Sequence, residues 1–160
     1  MAGKRRGDGG RRAGRPGAIG VRPVGGGAFE LVHPPAIEEV ELDYVEGAEL
    51  AAAGEVDEAR ETLRYALEAC GENLWVHVAL GRLALEAGRD PALARGHFGY
   101  AFELVERALP PGFDGRLPRD LPANAPFFEA AEGLAACYEA LGRPGEAVRV
   151  RSRAARLGGD

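Results

Sequence analysis

Gly54-Glu-Val-Asp-Glu-Ala59, Gly88-Arg-Asp-Pro-Ala-Leu-Ala94 and Gly142-Arg-Pro-Gly-Glu-Ala147 are three near-copies of one turn. Each separates two amphipathic helical patterns, and the first two glycines stand 34 residues apart. A fixed period of that size marks stacked helix-turn-helix units, which bury their apolar faces only against their neighbours. The expectation is an all-α chain that acts as a binding scaffold and not as a catalyst.

The residues flanking the turns supply the helices. Pro35 suits a first helical turn, and Ile37, Val40, Tyr44, Ala48 and Ala51 share one face of a helix expected to reach Ala53. Beyond Gly54, the spacing of Ala59, Leu63, Ala66, Leu67 and Cys70 predicts a second helix over Val56–Cys70. Asn73 is a good N-cap for a third helix ending near Ala87, and Asp90-Pro91 for a fourth ending near Leu109. Residues 110–123, with four prolines and two glycines, read as a loop. A fifth helix is expected from about Asn124–Pro126 to Leu141 and a sixth from Pro144 to Leu157. The units are therefore three hairpins at about 35–70, 73–109 and 124–157. Phe113, Leu117 and Leu121 of the loop are expected to cover the gap between the last two.

Within the hairpins, small and large residues recur in order. Hairpin two has Leu80-Gly81 and then Ala94-x3-Phe98-x2-Ala101; hairpin one has Gly47 and Leu50, then Ala59-x3-Leu63-x2-Ala66. Hairpin three has Leu134-Ala135-x2-Tyr138, then Ala147, Arg151 and Ala154. Small residues let two helix backbones approach, and large ones fill the space beside them. In this the chain resembles the tetratricopeptide repeats over roughly residues 36–157. It departs from their pattern in several places. The usual tryptophan position holds Asp43, His77 and Ala131, with Trp75 two residues before His77, and one extra residue precedes Ala94. The third hairpin is displaced by 20 residues, and Arg151 stands where an aromatic is usual.

The resemblance implies a right-handed α-α superhelix, a tetratricopeptide-like solenoid. In that family the first helix of each hairpin lines a concave groove for peptides or partner proteins. The corresponding positions are Glu41 and Tyr44; Trp75, Val78, Arg82, Leu85 and Glu86; and Glu129, Glu132 and Glu139. These make an acidic groove with two aromatics, suited to a basic or mixed basic-apolar ligand. Family members that grip a C-terminal carboxylate use Lys, Arg and Asn there, and this chain supplies mostly glutamates.

Charge and composition bear on the rest. Residues 1–27 hold seven basic side chains against Asp8 alone, while the whole chain is −5, so the remainder carries −11. Ten glycines in the same segment predict a disordered basic tail. Residues 28–34 read as an extended arm whose Phe29, Leu31 and Val32 are expected to cap the first hairpin. The rival reading is a nucleic-acid-associated protein using the tail and the last helix, where Arg149, Arg153 and Arg156 share a face. Cys70 and Cys137 fall at apolar positions and read as free core thiols. No apolar run is long enough to span a membrane and no secretory signal is present, so a cytoplasmic location is expected. His33, His77 and His97 form no metal-ligand spacing, and no metal or cofactor is expected. His77 and His97, on facing helices of one hairpin, read as hydrogen-bonded packing residues. Ser152 lies among arginines with no nearby histidine, and Thr62 is on an exposed face, so no catalytic residue is expected.

Overall fold

The computed structural model describes residues 17–160, and these are mostly helical. Six α-helices follow one another: α1 Glu41–Ala52, α2 Val56–Ala69, α3 Leu74–Glu86, α4 Pro91–Ala108, α5 Ala125–Ala140 and α6 Pro144–Gly158. The first is preceded by a 3-10 segment, Pro35–Val40, so the helix expected from Pro35 starts tightly wound and becomes α-helical only at Glu41. The Asn73 carboxamide accepts from the Val76 amide (3.2 Å), and the Asp90 carboxylate accepts from the Leu93 amide (2.9 Å). These bonds satisfy amides that α3 and α4 would otherwise leave open at their first turns. Gly54 and Gly142 end α1 and α5 at φ of 82° and 72°, a region costly for other residues.

Interlocking of small and large residues holds the hairpins together. A Cβ on Gly47 of α1 would meet Leu63 Cγ of α2 at 2.7 Å. The Phe98 ring on α4 lies against Gly81 of α3 and Gly133 of α5, where added Cβ atoms would approach it to 2.8 and 2.5 Å. Phe98 thus joins its own hairpin to the next. Arg151 takes the matching place on α6. No further hairpin follows it among the described residues, and its guanidinium lies at the surface bonded to Glu132 and Glu139 of α5. Besides the three hairpin contacts, α3 packs on α1 and α2, while α5 packs on α3 and α4.

Two apolar clusters result. The larger spans hairpins two and three, with Phe98, Val105, Phe127 and Leu134 among its members. The smaller, Val40, Leu63, Ala66, Val76 and Leu80, attaches the first hairpin. Cys70 and Cys137 are free and buried.

A small antiparallel sheet corrects the all-helical expectation. The strands β1 Gly20–Gly25 and β2 Ala28–Val32 pair with Gly20 opposite Val32 and Val21 opposite Leu31. Gly25, Gly26 and Gly27 turn the chain at φ of 105°, 58° and 74°. Of the segment read as a disordered tail, residues 1–16 lie outside the described residues. Residues 17–27, by contrast, are ordered in this hairpin, because Ile19 is buried and Val21 packs on the core. The strands do not cap the first hairpin: Leu31 belongs to the larger cluster, and Phe29 meets Phe113 edge-on at 4.9 Å between ring centres.

The proline-rich loop is stitched to the same place. Phe29 donates its amide to the Arg116 carbonyl (2.8 Å), Arg116 to Gly27 (3.0 Å), and Leu117 to Leu157 (2.6 Å). Leu117 is fully buried. Asn124, also fully buried, closes the junction. Its Oδ1 accepts from the Leu31 amide (2.8 Å), and its Nδ2 donates to the carbonyls of Phe29 (3.1 Å) and Pro118 (3.0 Å). Its side chain therefore does not cap α5.

Candidate functional site

Three of the residues expected to line a groove meet in one cavity. Glu41 and Tyr44 of α1 and Trp75 at the start of α3 line it with Ile37, Glu38 and Asn73, around a volume of about 420 Å³. Ile37, Tyr44 and Trp75, all half-buried, are its apolar lining, and Glu38 and Glu41 are its exposed acidic residues. Trp75 is held from behind by His33, whose ring centre lies 4.1 Å away and whose Nε2 donates to the Ala123 carbonyl (2.7 Å). Burial pushes the His33 pKa down, and the hydrogen bond to the Ala123 carbonyl opposes it.

Arg82 of α3 and Glu129 of α5 form an ion pair at 2.7 Å that ties the first helices of hairpins two and three. Both act on Tyr44: partial burial chiefly raises its phenol pKa, Glu129 raises it further, and Arg82 opposes. The first helices of all three hairpins therefore contribute side chains to one neighbourhood.

Other expected groove positions are elsewhere. Val78 is 3 % exposed and belongs to the core, so it cannot meet a ligand. Leu85 is half-buried and packs on that core, while Glu86 is exposed. Glu132 and Glu139 face α6, where both bind Arg151. These bonds lower the Glu139 carboxyl pKa and raise that of Arg151. The α5 glutamates therefore do not form a free acidic wall: Glu129 pairs with Arg82, and Glu132 and Glu139 share Arg151.

The uncompensated negative charge sits in the first hairpin. Residues 38–69 hold eleven carboxylates and two arginines, whereas residues 70–160 hold twelve and eleven. Among the described residues, Asp57 with Arg60 is the one ion pair of that segment. Leu42 and Val45 of α1 are exposed on the same hairpin, Leu42 by 83 %. This concentration was legible in the sequence as a local charge count, but averaging over the whole body hid it.

On α6, Arg151 and Arg153 are bound to glutamates, and Arg149 and Arg156 have no carboxylate within ion-pair distance among the described residues. The phosphate-binding face expected there is thus reduced to two free arginines. His77 and His97 do meet, Nδ1 to Nδ1 at 3.5 Å, with His77 Nε2 donating to the Gly71 carbonyl (2.8 Å). Burial, then His77, then Arg64 push His97 down to about 4. Among the described residues no group of three or more His, Cys, Asp or Glu side chains is arranged to hold a metal ion. Nor is any helix there long and apolar enough to cross a membrane.

Comparison with family models, curated proteins and solved structures finds no match to the chain.

Proposed function

We propose that this chain is a non-catalytic interaction module: a tetratricopeptide-like array that holds a basic or mixed basic-apolar segment of a partner protein. The supporting observation is the cavity of Glu38, Glu41, Tyr44 and Trp75, open between the first and second hairpins on the most negative part of the molecule. A guanidinium or ammonium group gains there from carboxylates that have no cation partner among the described residues and from the faces of two aromatic rings. An apolar neighbour in the ligand would cover Ile37 and the exposed Leu42. The sharing of Phe98 between successive hairpins supports the array reading, since stacked repeats bury their apolar faces against their neighbours. The ligand site is thereby narrowed to the first-hairpin end of the groove.

A fluorescent peptide of alternating arginine and leucine tests this. Its affinity should fall about tenfold or more in E38R/E41R, the equivalent of about 1.4 kcal/mol. It should be unchanged in E132Q/E139Q, which touches the pair bound to Arg151. Equal losses in both variants, or in neither, would reject the site. Preference for a single-stranded oligonucleotide over the peptide would instead favour the basic tail and the arginines of α6.

A further inference from the structure

The cavity at the first hairpin has a basic chain tethered beside it. Residues 1–16 carry Lys4, Arg5, Arg6, Arg11, Arg12 and Arg15 against Asp8, a balance of +5. The described chain begins at Gly17, and two residues later the Ile19 amide donates to the Glu72 carboxylate at 3.0 Å. Glu72 adjoins Asn73, which lines the cavity, and Trp75 follows two residues on. The basic segment is thus anchored next to the site. Fully extended, its sixteen residues reach on the order of 50 Å. The twelve residues of α1 span only about 18 Å.

The receiving surface is an unpartnered helix face. Glu41, Val45 and Glu49 of α1 are exposed beside Leu42, and nothing among the described residues covers them. Ten of the eleven carboxylates in residues 38–69 have no cation within ion-pair distance there. In hairpin three, by contrast, Glu129, Glu132, Glu139 and Glu146 each have an arginine. Among the described residues the carboxylates of hairpin three have arginine partners and those of hairpin one, Asp57 apart, do not, while residues 1–16 carry six cations.

We infer that residues 1–16 dock in cis on the acidic face of the first hairpin, their arginines over Glu38, Glu41 and the Trp75 ring, and act as a built-in competitor for the basic partner. This rests on the reading of the groove as a cradle for cationic chain. The partner would then have to displace the segment, and anything that lowers the segment's positive charge would open the groove.

Trp75 is the sole tryptophan and reports directly. Acrylamide quenching of the full chain should rise about twofold between ~10 mM and ~0.1 M salt, where the screening length falls from about 30 to about 10 Å. In full-length R5Q/R6Q/R11Q/R12Q the quenching should already be high at low salt and show no salt response. E38Q/E41Q should lose the response as well. Identical quenching of wild type and the arginine variant at both salts would overturn the inference, and so would a response retained in E38Q/E41Q. A response that vanishes on dilution would also overturn it, since the segment would then come from a second copy. The arginine-leucine peptide separates this from the proposed function. If docking is present but the arginine variant binds no peptide, the partner reading fails and the internal contact stands; if the peptide binds equally to both chains and no salt response exists, the reverse holds.

Discussion

Phe98 is the residue on which the packing of its own hairpin and the junction to the next both depend. Its ring fills the space that glycine leaves at positions 81 and 133, so both sides of the contact are constrained. Phe98→Ala should cost about 3–5 kcal/mol in denaturant unfolding. Gly133→Ala should cost about 1–3 kcal/mol, because the new methyl has nowhere to go against a ring already in place. A loss of less than ~0.5 kcal/mol from Gly133→Ala would mean that the two helices stand farther apart. Asn124 carries a comparable burden through hydrogen bonds. Asn124→Ala strands the Leu31 amide and should cost about 1–3 kcal/mol. His97 gives a pH signature. Its folded pKa of about 4 lies below the ordinary 6.5, so between those values the unfolded chain takes up the proton that the folded chain refuses. The contribution of His97 is therefore complete above pH 6.5 and drains away as the pH falls towards 4. His97→Phe should flatten that part of the melting-temperature profile, and an NMR titration of His97 with a midpoint near its ordinary value would contradict the packing.

At the scale of elements, the six helices were legible because period, caps and glycine stops agree. Ala59, Leu63 and Ala66 repeat on one face, and Asn73 and Asp90 bind the amides that a cap should bind. The β-hairpin was hidden by its own turn. Gly25-Gly26-Gly27 lowers the local hydrophobicity, and ten glycines in 27 residues look like a chain with nothing to bury. Yet Val21 pairs with Leu31 and packs on the core, and Ile19 just before the strand is buried. The role of Asn124 was equally invisible, since its partners Leu31, Phe29 and Pro118 are far from it in sequence or outside any helix. The loop was legible as a cover through Leu117. Leu117→Ala should cost about 2–5 kcal/mol, as for any buried leucine. A neutral result would return the loop to the surface.

Across the whole molecule, stability and charge are both unevenly spread. The first hairpin is attached through the smaller apolar cluster, whereas hairpins two and three share the larger one with the strands and the loop. Amides of α1 and α2 should therefore exchange with deuterium sooner than those of α3 to α5, the pattern of a unit that opens by itself. The same hairpin holds the carboxylates that have no cation partner among the described residues, so the least anchored hairpin is the one proposed to take the ligand. Of the positions expected in a groove, Glu41, Tyr44 and Trp75 line one cavity. The positions that failed did so for a common reason. Helical spacing places a residue on a face but does not reveal a partner on another element. Val78 was claimed by the core, and Glu132 and Glu139 by Arg151. The most direct test is to titrate the isotope-labelled full chain with the arginine-leucine peptide and follow amide and indole shifts. Binding as proposed moves Glu38, Glu41, Tyr44 and the Trp75 indole and leaves α6 still. Shifts centred on Arg149 and Arg156, or none on the first hairpin, would contradict it.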